Sequence, residues 1–314
     1  MGFQTVKSIL EFNHDTAFED EVADRRALVS RLLFTGVKPI DHVFEGIMPN
    51  DFVLLGAKTG SGKTEMLTQI ASNVAKQGKY VDMFALEASK FEIHRRIKFK
   101  ICAEILKIYE KVEHVSFSKW IRFGYDKQLE KHEKQIQSEL DDMKKYLRIH
   151  YRPGSFDLAD FLKLYNYYAK DSHVMLFDHA QFFDLDDSKN ENQHVKDMTL
   201  KMYDMVNAIR VPIILVSHLR KTDSGKRIPG IEDFYGSSEL GKKVTRALIL
   251  VRYKFLPEIN SWETIFNFEK NRELSPTALK TVFNLDVKRY ADKFEEGQII
   301  RDNFYTIDEI KAMP

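Results

Sequence analysis

A glycine-rich segment directly behind a short apolar run is the feature that most constrains this 314-residue chain. The apolar run covers residues 52–55, and the segment behind it is Ala57-Lys58-Thr59-Gly60-Ser61-Gly62-Lys63-Thr64. After the glycines, apolar residues recur at the spacing of a helix that packs one face on a core, at Met66, Leu67, Ile70, Ala71 and Val74. The pattern predicts a buried strand, a tight turn and a helix, which is a local unit of α/β folds.

The glycine-rich turn has the composition of a Walker A phosphate loop. Glycines let consecutive backbone N–H groups point at phosphate oxygens, and the N-terminus of the following helix adds a favourable dipole. Lys63 is expected to reach the β- and γ-phosphates, and the Thr64 hydroxyl to bind Mg²⁺. The alternative is a turn without a ligand, and Ala57 stands where the strict pattern has glycine. The sequence predicts a nucleoside triphosphate site formed by residues 57–64.

Composition excludes several other classes of protein. The net charge is +1, so nucleic acid can be bound only through a local basic patch. The one cysteine, Cys102, cannot form an internal disulfide and fits a reducing compartment. No apolar run approaches the roughly 18 to 20 residues of a membrane helix, and no signal-peptide core is found at the N-terminus. We therefore expect a cytoplasmic protein that does not bind a membrane.

Strand and helix patterns alternate along the rest of the chain. The predicted strands are 52–57, 80–86, 173–178, 212–217, 247–252, 264–269 and 281–286. Short apolar strands separated by helices indicate an α/β fold with a mostly parallel sheet that has helices on both faces. The later strands follow one another closely, which favours an antiparallel extension at that end.

Two helical segments lie outside this alternation. Residues 18–33 are predicted to form an amphipathic helix in front of the core. Residues 120–150 form a charged helix with a narrow apolar stripe. That stripe fits either a helix on the surface of its own domain or a coiled coil with a partner.

Polar residues follow several of the predicted strands. Asp178 ends an apolar strand in the manner of a Walker B aspartate that supports Mg²⁺; the alternative is a helix cap. Glu87 has the position of a general base for the attacking water, or of a carboxylate that merely favours a helix dipole. His218 could sense the γ-phosphate or be a structural histidine. Lys226 and Arg227 belong to a basic loop that could contact a phosphate backbone or simply be solvated.

The order of these motifs resembles the RecA-type motor domain of hexameric superfamily 4 helicases, which are the DnaB-like replicative helicases and phage helicase-primases. The segments that carry the resemblance are 35–41, 46–51, 57–64, 85–89, 177–181, 217–220, 233–238 and 270–272. Ala57 is itself a usual DnaB-type variant of the loop. Three positions depart from the family pattern: Tyr235 replaces an arginine, Ser238 a glycine and Thr245 an aspartate.

The resemblance implies a RecA-like P-loop NTPase that binds Mg²⁺ and ATP between subunits of a ring, expected as a hexamer. Lys63, Glu87 and His218 would be catalytic, and Thr64 and Asp178 would hold the metal. Lys270 and Arg272 look like the finger pair that reaches the ATP of the neighbouring subunit, where it would complete the site. Single-stranded DNA would lie against the central loops, with a loader or primase as a further partner. The resemblance implies DNA contacts at Tyr235, Gly236, Ser237 and Ser238, and the basic loop adds Lys226 and Arg227 as candidates.

These implications divide the chain into an N-terminal segment 1–34 with a linker helix, a motor domain 35–290 and a C-terminal tail 291–314. The linker helix would dock on the adjacent subunit. The expected activity is ATP-driven unwinding of duplex DNA during replication. One alternative is a RecA/KaiC-like ATPase that assembles on DNA without unwinding it, and another is a small-molecule P-loop kinase. The finger pair and the basic loop disfavour the kinase.

Overall fold

The computed structural model describes residues 14–85, 88–151, 158–178, 191–220, 228–234, 237–272, 275–300 and 303–312. Within these ranges, one sheet of ten strands forms the centre of the molecule, in the spatial order β10-β9-β8-β7-β6-β1-β5-β4-β2-β3. The strands are β1 Phe52–Ala57, β2 Val81–Ala85, β3 Leu147–Tyr151, β4 Val174–Phe177, β5 Ile213–His218, β6 Arg246–Leu256, β7 Ser261–Asn271, β8 Thr277–Asn284, β9 Arg289–Ile300 and β10 Asn303–Thr306.

The sheet has a parallel half and an antiparallel half. Strands β3, β2, β4, β5, β1 and β6 pair in parallel, with β1 between β5 and β6. From β6 onwards, β7, β8, β9 and β10 follow as antiparallel neighbours. The α/β class, the parallel sheet and the antiparallel extension that the sequence predicted are all confirmed.

Helices cover both faces of the parallel half. The α-helices of the described ranges are α1 His14–Ser30, α2 Lys38–Phe44, α3 Lys63–Lys76, α4 Lys90–Ile108, α5 Phe117–Phe123, α6 Asp126–Leu129, α7 Glu133–Lys144, α8 Leu158–Tyr168, α9 Glu191–Ile209, α10 Ser237–Lys243 and α11 Ile307–Lys311. Of these, α2 also contacts the antiparallel strands β7 to β9, and α11 packs on β9 and β10. Val53 and Leu55 of β1 face the core that contains α2, α3, α4 and α7. Phe52 and Leu54 face the other core, with α8, α9 and α10. This alternation is the reason that β1 is apolar at every position, since a strand covered on both faces has no solvent side.

The charged segment 120–150 packs on its own domain. Ile136 and Met143 of α7 are buried in the same core as α3 and α4, which favours the surface-helix interpretation over the coiled coil. The helix ends at Lys144, and Leu147 already belongs to β3. Strand β3 was not predicted because it lies at the sheet edge, where four of its five residues are half-buried rather than apolar and buried.

The N-terminal helix α1 covers residues 14–30, so it begins four residues and ends three residues before the predicted helix 18–33. Its apolar residues do not form one buried face: Val22 and Leu28 are half-buried, whereas Phe18 and Val29 are exposed. An ion pair between Asp24 and Arg210 connects the helix to the end of α9. Residues 291–300 and 303–306, from the segment described as a tail, lie in strands β9 and β10. None of the helices in the described ranges has the length and apolar character needed to cross a membrane.

Candidate nucleotide site

The glycine-rich loop leaves β1 at the carboxyl edge of the parallel strands. Gly60 and Gly62 have φ values of 77° and 95°, a left-handed conformation that residues with a side chain rarely adopt. Residues 58–60 are exposed, whereas Ala57 is buried between its register partners His218 and Leu250. The sequence places glycines at the two positions where the backbone requires them, and α3 begins directly behind the second one.

The side chain of Lys63 folds back over the loop and is held there by hydrogen bonds. Its ammonium group is buried and donates to the carbonyl oxygens of Ala57 at 3.2 Å and Lys58 at 3.4 Å. It also lies 3.1 Å from Nδ1 of His218 at the end of β5. An ammonium group has three N–H donors, so these three acceptors orient the charge of Lys63, and a bound phosphate would take the place of one of them.

His218 faces the loop from the neighbouring strand. Burial, and then the charge of Lys63, lower the pKa of this imidazole below the ordinary value of 6.5. Nδ1 therefore accepts from Lys63 as a neutral imidazole near pH 7, which leaves Nε2 protonated as a donor. The Thr59 hydroxyl lies 3.5 Å from the same Nδ1. A neutral donor beside Lys63 is suited to contact a phosphate oxygen.

Thr64 and Asp178 meet on the side of the loop towards β4. The Thr64 hydroxyl donates to Oδ1 of Asp178 at 3.1 Å, and the aspartate is buried at the end of β4. Hydroxyl and carboxylate oxygens are ligands that Mg²⁺ accepts, and neighbouring ligands of an octahedral Mg²⁺ lie about 3 Å apart. The two residues therefore fit the metal that the sequence predicted for them.

A buried ionic cluster lies directly behind Thr64. Glu65 pairs with Arg96 and Lys100 of α4, and Arg96 also pairs with Glu92 at 2.6 Å. Burial alone would raise the pKa of the Glu65 carboxyl, but the charges of Lys100 and Arg96 outweigh it and lower this pKa. The cluster joins the first turn of α3 to the helix that follows residues 86–87. The cluster cannot be predicted from the sequence, because nothing in a local pattern pairs residues on separate helices.

Lys270 and Arg272 lie at the opposite edge of the sheet. Lys270 is in register with Ala247 of β6, which is itself beside Leu54 of β1. The pair is therefore about 10 Å along the sheet and about 10 Å across it from the end of β1. The Lys270 ammonium donates to the Gly241 carbonyl at 2.8 Å, and Arg272 is exposed. The structure does not bring these two residues to the loop of their own chain.

Several predicted site residues fall outside the described ranges or at their limits. Glu87 lies between the two described ranges around β2 and α4, and Lys226, Arg227, Tyr235 and Gly236 lie in the gaps on either side of residues 228–234. Ser237 and Ser238 are the first residues of α10. Their assigned roles stay predictions.

A family model described as the DnaB-like helicase C terminal domain matches residues 33–292. The chain belongs to this family. The membership confirms the resemblance that the order of the motifs indicated. The residues that match the DnaB-family model include strands β1 to β8 and the beginning of β9.

Two solved structures share the fold of this DnaB-family chain. One is an ATPase domain with a TM-score of 0.70 at 15% identity, over 90% of this chain and 99% of that one. The other is a DnaB-like replicative helicase, described with its interactions with primase, with a TM-score of 0.70 at 17% identity, over 91% of this chain and 70% of that one.

Two further proteins are similar to this chain. The replicative DNA helicase DnaC of Bacillus subtilis (strain 168) is 29% identical over 104 residues, which are 33% of this chain and 22% of the relative. The alignment thus spans about a fifth of that protein. A KaiC-like protein of Pyrococcus horikoshii OT3 has a TM-score of 0.51 at 18% identity, over 88% of this chain and 98% of that one.

Proposed function

We propose that this DnaB-family chain is the ATP-hydrolysing motor of a ring-shaped DNA helicase. In this proposal the ring is a hexamer that moves along single-stranded DNA and separates the duplex. The observation that carries the proposal is the separation of two groups of side chains on the sheet. Phosphate- and metal-binding groups converge at one edge of the sheet, while the cationic finger pair lies at the other edge.

Each group of the loop edge has a distinct task. Lys63 and the backbone N–H groups of residues 60–64 would hold the β- and γ-phosphates, and His218 would contact the γ-phosphate through Nε2–H. Thr64 and Asp178 would hold Mg²⁺, which when bound neutralises charge on the transferring phosphoryl group. Glu87 would accept the proton of the attacking water. All these groups come from one chain.

Lys270 and Arg272 would act on a neighbour. Because about 14 Å of sheet separates the finger pair from the loop of its own chain, stabilisation of phosphoryl charge by this pair requires a second subunit. The sheet edge that carries the phosphate loop of one subunit would face the edge that carries Lys270 and Arg272 of the next. This is a head-to-tail contact, and such contacts close into a ring when the rotation between subunits allows it. Hydrolysis would thereby depend on assembly. The helix α1, with Phe18 and Val29 exposed, would dock on the adjacent subunit.

DNA contacts are proposed for the carboxyl edge and the central loops. The residues are Lys226, Arg227, Tyr235, Gly236, Ser237 and Ser238, which are expected to bind the phosphate backbone rather than individual bases. A loader or primase is a proposed further partner; one DnaB-like relative is described with primase. The alternative of a KaiC-like ATPase without unwinding shares the same ATP groups.

The test combines two assays on the purified chain with Mg²⁺ and ATP. Single-stranded DNA should stimulate hydrolysis, and a forked duplex should be separated; Lys63→Ala should abolish both. Stimulated hydrolysis without strand separation would support the assembly ATPase instead. Hydrolysis that is indifferent to DNA would contradict both forms of the proposal.

A further inference from the structure

The strand β9 approaches the phosphate loop from the antiparallel half of the sheet. Tyr290, its second residue, is buried, and its ring packs against Phe266 at 5.2 Å and Phe283 at 4.7 Å between centroids. The ring of this tyrosine is thus held by the core, and its hydroxyl end reaches towards the loop.

The backbone of Tyr290 is attached to the helix that the loop opens. Its N–H donates to Oε1 of Gln69 at 2.8 Å, and its carbonyl accepts from Nε2 of the same side chain at 3.1 Å. Gln69 is buried on α3. Two hydrogen bonds to one side-chain amide fix both the position and the orientation of the β9 backbone relative to α3.

The hydroxyl of Tyr290 donates to the carbonyl of Ser61 at 3.2 Å, in the middle of the loop. A trans peptide unit is planar, so the carbonyl of Ser61 and the N–H of Gly62 point in opposite directions. A bond that holds the carbonyl towards β9 therefore turns the Gly62 N–H away from β9. The fit is close: a Cβ at Gly62 would lie 2.8 Å from the tyrosine hydroxyl.

We propose that Tyr290 is a positioning residue of the phosphate loop, which sets the peptide between Ser61 and Gly62 so that its N–H faces the phosphates before nucleotide binds. Burial raises the pKa of the Tyr290 phenol, so that the hydroxyl stays a donor throughout the working pH range. The inference rests on the loop being the nucleotide site.

The test is Tyr290→Phe, which keeps the ring and removes only the donor. The matched control is Tyr165→Phe, because Tyr165 is equally buried and donates to the Val211 carbonyl at 2.8 Å in the other core, at the amino edge of the sheet. The dissociation constant of a fluorescent ADP and the melting temperature of the nucleotide-free protein are measured for both variants.

We expect Tyr290→Phe to weaken ADP binding about tenfold, which corresponds to about 1.4 kcal/mol, while Tyr165→Phe binds as the wild type does. In steady state the KM for ATP should rise with little change in kcat, because the oriented N–H serves substrate and transition state alike. Equal ADP affinity in Tyr290→Phe and the wild type, or an equal loss in both variants, would overturn the inference. Absence of ADP binding by the wild type would instead refute the nucleotide site itself.

Discussion

Glu65→Gln would remove the negative charge from the buried ionic cluster behind Thr64. The side chains of Glu65 and Lys100 are 8% and 4% exposed, and the carboxylate also holds Arg96. The isosteric amide keeps the packing but leaves a buried ammonium without its carboxylate. Removal of one partner from a buried ion pair costs about 3–5 kcal/mol, a large part of the roughly 5–15 kcal/mol that stabilises a folded domain.

The assay is the melting temperature of the variant, measured by thermal unfolding. For a chain of 314 residues the loss corresponds to a fall of about 5–8 °C in melting temperature. The control is Lys76→Gln, which breaks a pair with Glu139 whose side chains are 42% and 33% exposed. Exposed pairs contribute about 0–1 kcal/mol, so the control should melt within about 2 °C of the wild type.

Two further measurements separate the ionic effect from general damage. Glu65→Gln combined with Lys100→Met removes the unpaired charge, and it should recover a large part of the lost stability. The pKa of Glu65 is lowered from 4.5, so its stabilisation is present above that pH and is lost as the pH falls through the lowered value. The difference between wild type and Glu65→Gln should therefore shrink below pH 4.5. If the melting temperature of Glu65→Gln equalled that of the Lys76→Gln control, the reasoning would be refuted.

Three other substitutions test individual groups of the site. Glu87→Gln should bind ATP but hydrolyse it at least about 100-fold more slowly, since a general base contributes about 10²–10⁴-fold to the rate. A wild-type rate of hydrolysis in a single-turnover assay would show that Glu87 is not the general base. Asp178→Asn should raise the Mg²⁺ concentration that gives half-maximal ATPase, with ADP affinity in EDTA unchanged, and an unchanged Mg²⁺ requirement would contradict the metal assignment. His218→Gln should flatten the pH dependence of unfolding: the pKa of His218 is lowered from 6.5, so the wild type loses stability as the pH falls through 6.5 and the variant does not. Parallel stability curves for wild type and variant across about pH 5–8 would show that His218 does not titrate as described.

The parts of the molecule that follow a local pattern could be predicted from the sequence. Strand β1 and the loop behind it were placed at the observed residues, because an apolar run, two glycines and a helical stripe are all local signals. Asp178 and His218 were placed at strand ends for the same reason. The carboxyl ends of parallel strands share one edge, so their convergence followed from the fold class.

Other features depend on contacts between distant residues. The bond from Tyr290 to Ser61 spans 229 positions, and the Glu65 cluster joins two helices. Strand β9 was missed because charged residues interrupt its apolar ones, as is usual where one face of a sheet meets solvent. The N-terminal helix was predicted as amphipathic, yet Phe18 and Val29 are exposed in the single chain. These features are set by the packing of the whole sheet rather than by any window of sequence.

The division of the ATP site between subunits is tested most directly by mixing two inactive proteins. Lys63→Ala lacks the loop but keeps the finger, and Arg272→Ala lacks the finger but keeps the loop. The two are co-expressed with different tags and purified through both, so that every ring contains both kinds of subunit. If the finger acts on the neighbour, random order completes about one quarter of the interfaces, and the mixed rings should recover about one quarter of wild-type ATPase. If the finger acted within its own chain, no site in the mixture would be complete, and mixed rings as inactive as either parent would contradict the account.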